Sequence, residues 1–191
     1  GGQSSRPGAI QISNEEEQKR VIPILKEIKK QYSLKAKISL DTSNLSTMQI
    51  GEENGVDIIN DISGFANTKN INFISKKKIP VIVMHMQNEP KTMQNNPKYE
   101  FSPIDIYKIL SAKIKVLLKY GVRESNIVVD PGIGFGKNLS HNLEILKYLS
   151  IFHGLGVPIL IGVSRKSLIA ELTINGYKFQ GINKKVIDPS N

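Results

Sequence analysis

At 191 residues and 39% hydrophobic, the chain is long enough to bury one substantial core, and no Pro/Gly/Ser-rich linker divides it. Having no cysteine excludes disulfides and thiolate metal centres, and no apolar run reaches the roughly 18–20 residues of a bilayer span, so a cytoplasmic chain with no membrane partner is expected. The net charge of +9 does not make it a nucleic-acid binder: 22 of the 26 basic residues are lysines scattered along helical stretches, with no aromatics interleaved to stack bases, and an anionic small molecule is the better charge partner.

Short β-branched runs alternate with longer segments of 3.6-residue apolar period. The first nine residues, GGQSSRPGA, form a polar loop and read as an internal piece of a protein. A helix is predicted over 13–30, where Ser13 and Glu16 have capping-box spacing and Pro23 is placed to kink it. A strand (36–41), a helix (44–54), a second strand (56–61) and a helix (68–77) follow. The third strand (79–86) leads through a polar loop to a long helix at 103–120. The fourth (126–130) precedes a glycine-rich loop and a helix at 139–152. The fifth (157–164) runs into a helix beginning at Arg165.

Strands that read as near-continuous apolar runs belong to parallel sheets. Five repeated β-α units leave the (β/α)8 barrel or the open doubly wound sheet. Polar residues help to choose, because every strand ends in one: Asp41, Asn60 with Asp61, His85, Asp130, and Ser164-Arg165-Lys166. One such residue would be an ordinary helix cap. Five out of five make a rim at the C-terminal ends of the strands, the layout of a TIM-barrel active site.

Asp41, Asn60, Asp130 and Lys166 have a coherent joint use. Carboxylates and a carboxamide can read the amino and ring N–H groups of a nitrogen heterocycle, while a lysine bonds a carbonyl oxygen or balances charge. A Mg²⁺ site on Asp41 and Asp130 is the rival reading, weakened by the want of a third carboxylate. In the segment Asp130-Pro-Gly-Ile-Gly-Phe-Gly-Lys137, the glycines permit close backbone approach to a ligand, and Phe135 is expected to wall the pocket. Its spacing fits neither a dinucleotide fingerprint nor a Walker loop. The turn Ser164-Arg165-Lys166-Ser167 opens a helix whose free N–H groups favour an anion, making Arg165 and Ser167 candidates for a carboxylate. Met84 is expected to line the pocket and His85 to bond structurally on the other face of its strand. His141 and His153 are expected to be surface or packing residues.

Taken together, GGQSSRPGA, SLDTS, IINDISG, VMHMQNEPKTMQ, VDPGIGFGKNLSHN and IGVSRKS resemble the dihydropteroate synthases, in that family's order, over residues 1–170. The resemblance implies a TIM barrel that condenses 4-aminobenzoate with 6-hydroxymethyl-7,8-dihydropterin diphosphate in folate biosynthesis. Mg²⁺ accompanies the diphosphate, and sulfonamides compete with the aminobenzoate. It also implies that Asp41, Asn60, Asp130 and Lys166 hold the pterin, with Ile62, Met84 and Gly162 around them. Gly134 and Phe135 border the aminobenzoate site. Ser5, Arg6 and Pro7 belong to a mobile loop over the second substrate, and Ser167 to a carboxylate-binding helix start. The family's transition state is largely dissociative. Asp41 and Asp130 would therefore stabilise a cationic pterin methylene, and loop closure would exclude water.

The sequence departs from that family at Gln3, where Glu is usual, at Ser5, where Thr is usual, and at Ile133, where an aromatic is frequent. The Asn-Val-Thr-Pro-Asp-Ser-Phe loop and the Arg-Val-His-Asp-Val motif, which supply diphosphate and Mg²⁺ groups, do not occur in it. With five of eight strands and a length below the ~250 residues of such a barrel, residues 1–172 are expected to be a partial pterin-binding domain and 173–191 a divergent tail. Weak or no turnover is expected of this chain alone, and a homodimer is the assembly left open for a complete one. The alternatives are a non-catalytic pterin-binding paralogue or remnant, and a methyltetrahydrofolate-binding methyltransferase barrel. The latter would lack the SSRPGA and SRKS motifs.

Overall fold

In the computed structural model, which describes residues 2–6, 8–31 and 36–174, four short strands lie side by side in chain order. They are β1 (Ser39–Asp41), β2 (Ile58–Asp61), β3 (Val81–Met84) and β4 (Ile127–Asp130), all parallel. A doubly wound sheet reverses its strand order at a switch point; the sequential order 1-2-3-4 has none. The helices α1 (Asn14–Gln31), α2 (Leu45–Glu53), α3 (Thr68–Lys77), α4 (Ser102–Lys119), α5 (Leu139–Lys147) and α6 (Ser167–Ile174) follow. The result is an open, incomplete wall of a TIM barrel.

Register decides which side chains face the helices. Asp41 stands opposite Asn60, Asn60 opposite Ile82, and Ile82 opposite Val128, while Met84 stands opposite Asp130. Directly opposed residues share a face, and alternate residues of a strand return to it. Asp41, Asn60, Met84 and Asp130 therefore lie on one face. The intervening Leu40, Ile59, Val81, Val83, Ile127 and Val129 lie on the other and are all buried. There they join one core with Ile71 and Ile74 of α3 and Ile106, Leu110, Ile114 and Leu117 of α4.

Local chemistry fixes the ends of the helices. Ser13 Oγ accepts from the Glu16 N–H at 3.2 Å, and Glu15–Glu17 open α1 while Lys29 and Lys30 close it, matching its dipole. Pro23 lies within α1 without ending it, on the exposed side, while Val21 and Leu25 are buried. Asn67 caps α3 by accepting from the Lys69 N–H at 3.0 Å.

Three expectations need correction. The helix predicted over 139–152 ends at Lys147, and a 3-10 segment, Leu149–Leu155, takes over until Gly156 turns with φ 74°. The strand predicted over 157–164 is reduced to a single parallel bridge between Val129 and Ile159. Two bonds hold it beside β4, from Val129 N–H to Pro158 O (3.0 Å) and from Leu160 N–H to Val129 O (2.8 Å). A ladder on one side only leaves the rest of that run without pairing among the described residues. The final helix begins at Ser167 rather than Arg165. The tail expected from 173 onward lies outside the described residues, save for the last two residues of α6.

Candidate functional site

The shared face of the sheet presents two polar groups flanking β3. On one side Asn60 Nδ2 donates to Asp41 Oδ1 at 2.8 Å, and Asn60 Oδ1 is buried with no hydrogen-bond partner among the described residues. On the other, buried Asp130 accepts from the Gly132 N–H at 2.7 Å through Oδ1. Burial pushes the Asp130 carboxyl above the usual carboxylate range, while its Gly132 hydrogen bond and the charges of Lys166 and Lys137 pull it down. With strands about 4.8 Å apart and Asp130 two residues further along the register than Asn60, their Cα atoms stand about 12 Å from each other. Met84 is buried between them.

Lys166 leans in from the start of α6. Its ammonium donates to Ile133 O and sits 4.3 Å from the centroid of the Phe135 ring. Burial lowers the Lys166 ammonium pKa and Asp130 works against that shift. The aromatic wall, the lysine and Asp130 thus form one cluster. Gly132, Gly134 and Gly136 all adopt positive φ. A Cβ on Gly132 would run into the His85 carbonyl oxygen, so no other residue fits that turn as it stands. Gly134 is pinned on both sides, its N–H to Asn142 Oδ1 at 2.8 Å and its carbonyl by Gln94 Nε2 at 2.9 Å.

The N-terminal loop packs against the β1 end of the rim. Gln3 clasps its base, accepting from the Ile12 N–H at 2.9 Å and donating to Ile10 O at 3.3 Å. Gly8 N–H reaches across to Pro90 O at 3.2 Å. Beneath the loop lies a cleft of about 680 Å³ whose lining includes Ser5, Gly8, Asp41, Ile62, Met86 and Glu17. Asn60, Met84, Asp130 and Lys166 do not line it. Arg6 is exposed, and Pro7 lies outside the described residues. Arg165 is exposed with φ 55°, Ser167 is exposed on the first turn of α6, and the space around Gly162 is open.

Two buried charged residues escape the sequence reading. Glu17 is fully buried, and its Oε2 accepts from Thr42 Oγ1 (3.0 Å), Asn44 Nδ2 (2.7 Å) and Thr47 Oγ1 (2.8 Å), tying α1 to the turn that follows Asp41. A signal existed: Glu17 shares the helical stripe of Val21 and Leu25. Lys137 is 3% exposed and donates to Gly132 O (2.8 Å), Phe135 O (2.8 Å) and His85 Nδ1 (3.0 Å). His85 is itself buried on that contact, a structural hydrogen-bonder as expected. His141 does more than pack: with Asn138 it forms the capping box of α5, and its ring meets Tyr99 edge-on at 4.8 Å.

Comparison with known proteins adds a separate observation. The model of a family described as pterin binding enzyme matches residues 1–185. The dihydropteroate synthase of Escherichia coli (strain K12) is 40% identical over 172 residues, which are 90% of this chain and 60% of that protein. The Yersinia pestis dihydropteroate synthase, solved with a sulfonamide drug, superposes with a TM-score of 0.85 at 35% identity, over 92% of this chain and 62% of the other. The Thermus thermophilus enzyme, solved with 4-aminobenzoate, gives 0.84 at 29% identity, over 99% and 66%. The chain spans about 60% of the length of the curated relatives it matches.

Proposed function

Because the chain belongs to the pterin binding enzyme family, we propose that it carries the pterin-holding wall of a dihydropteroate synthase, a folate-pathway transferase. The observation that carries this reading is the strand register, which gives Asp41, Asn60, Met84 and Asp130 a common face with Lys166 beside Asp130. The condensation breaks the C–O bond between the pterin methylene and the diphosphate and forms a C–N bond to the aminobenzoate nitrogen, releasing a proton. Asn60 and Asp130 accept from and donate to the ring edge, Lys166 bonds its carbonyl, and Phe135 walls the ring. Asp41 and Asp130 stabilise positive charge as it develops on the methylene, from fixed positions that need no reorganisation. Ser5 and Arg6, with Pro7, close over the second substrate, whose carboxylate meets Arg165 and Ser167.

The second substrate is then 4-aminobenzoate, the compound in the Thermus thermophilus structure, and the pterin-binding domain, residues 1–172, belongs to a cytoplasmic, homodimeric protein. Mg²⁺ stands differently. Among the described residues no three carboxylate or imidazole groups converge closely enough to hold a metal ion. They do not fit such a centre by themselves, and no step here runs through it.

Binding is the decisive test. The chain has no tryptophan, so the fluorescence of 6-hydroxymethylpterin can be followed directly as the protein is added. Saturable binding, weakened at least tenfold by Asp130→Asn and by Asn60→Ala, is expected, since each leaves a ligand polar group without its partner. No saturable binding, or variants that bind as the wild type does, would overturn the proposal.

A further inference from the structure

We propose that Lys137 is a positioning residue for the ligand-facing carboxylate, its buried ammonium both anchoring the loop that holds Asp130 and keeping Asp130 ionised. This rests on the reading of Asp130 as a pterin-holding group. An ammonium has three protons to donate, and Lys137 Nζ has three close acceptors: Gly132 O, Phe135 O and His85 Nδ1. His85 O is a fourth, longer contact at 3.4 Å. The side chain is thus built in as a cation, although it is 3% exposed. An apolar side chain would fill the same space without the cost of burying a charge.

The position of that charge gives it a use. Gly132, whose carbonyl Lys137 holds, is the residue whose N–H holds Asp130 Oδ1 at 2.7 Å. Lys137 therefore acts on Asp130 twice, through this one residue and through space. Two cations pull the Asp130 carboxyl down against its burial: half-exposed Lys166 and buried Lys137. The remaining groups around Lys137 do not compete for its proton. His85 accepts at Nδ1, which places its hydrogen on Nε2, and burial with the charges of Lys137 and Lys113 drives its pKa down to about 2. Burial also pushes His141 on α5 down, with Glu144 opposing and Lys137 adding to the shift. Lys137 itself is pushed down to about 7 by burial, with Asp130 opposing and Lys166 adding to the shift. Its charge is present below that pH and is lost above it.

The test uses the full 191-residue chain. The Asp130 side-chain carboxyl is titrated by carbon NMR in the wild type and in Lys137→Met, and 6-hydroxymethylpterin affinity is measured across the same pH range. Removing one adjacent opposite charge is expected to raise the Asp130 midpoint by about one unit. Pterin affinity should then fall by up to about tenfold in the acid range, and the loss should shrink as the pH rises past 7. A residue that only packs would give a loss independent of pH. An unmoved Asp130 midpoint in Lys137→Met overturns the inference. Should Lys137→Met not fold, the wild type decides: the Asp130 resonance must show a second inflection where the Lys137 Cε resonance titrates, and its absence overturns the inference. A wild type that binds no pterin sinks the functional reading alone, because the Asp130 titration needs no ligand.

Discussion

Replacing Gly132 with alanine puts one methyl group where the glycine loop crosses the end of β3. Gly132 has φ 71°, and an L side chain in that region costs about 1 kcal/mol. The added Cβ would also meet the backbone oxygen of His85 well inside the 3.0 Å that real Cβ atoms keep. A backbone atom cannot rotate away, so the loop or the strand end must move. Both are tied: His85 N–H donates to Asp130 O at 2.9 Å, and Gly132 O accepts from the Lys137 ammonium. Losing the first costs about 1 kcal/mol and weakening the charged second about 2. The expected destabilisation is about 3–5 kcal/mol, a large part of a domain's usual 5–15. Gly162→Ala is the control, because nothing lies within 4 Å of its added Cβ and its φ is not positive; it should stay within about 0.5 kcal/mol of wild type. Urea unfolding of both, followed by circular dichroism, measures the contrast. A Gly132→Ala protein within about 1 kcal/mol of wild type would refute the claim that this turn admits only glycine.

Glu17→Leu should destabilise the fold by about 3 kcal/mol, since Thr42, Asn44 and Thr47 lose a shared acceptor; Glu17→Gln, which keeps an oxygen there, should recover most of it, and thermal melts of the two will show whether it does. His85 gives a pH signature. Its folded pKa of about 2 lies below the ordinary 6.5, so the unfolded chain takes up a proton the native state refuses, and stability falls as pH drops through 6.5 toward 2. The slope approaches ~1.4 kcal/mol per pH unit. His85→Asn lacks that proton, so its stability deficit relative to wild type should narrow with acidity in urea titrations; a deficit constant from pH 7.5 to 5 would contradict the assignment. In a complete enzyme, Ser5→Ala and Arg6→Ala should cut turnover while leaving binary pterin binding nearly unchanged, and loss of pterin binding in either would remove the loop from its assigned role.

The strand-end rim could be read from the sequence because each β-branched run stops at a polar residue, and alternation then fixes which neighbours share its face. Strand length was less legible. The run 36–41 pairs only from Ser39, because the β2 partner begins at Ile58. Nothing in the run 157–164 says that its ladder shrinks to Ile159, since pairing depends on a neighbour rather than on the run itself. Glu17 was hidden by its acidic neighbours Glu15 and Glu16: three glutamates in a first turn look like a dipole complement, and only the stripe through Val21 and Leu25 sets the third apart. Lys137 was hidden by a rule that is sound on average, that lysines belong to the solvent. The loop around it leaves inward-facing carbonyls that need a donor, and positive φ at Gly132 and Gly134 is not written in the letters. Nor does the departure at Gln3 declare its use: the side chain both donates and accepts at the loop base, and a glutamate there could only accept.

The matched pairing of Asp41 with Asn60, and of Met84 with Asp130, restricts how this chain can change over generations. Inserting or deleting one codon inside a strand would turn its whole downstream half over, driving carboxylates beneath the helices and isoleucines onto the ligand side. The connections after the strands carry no such parity and, apart from the glycine loop after β4 that Lys137 and Asn142 hold, can lengthen or shorten with little penalty. Variation in length should therefore collect in the βα turns, where new specificities can be tried, while the strands drift only by substitution.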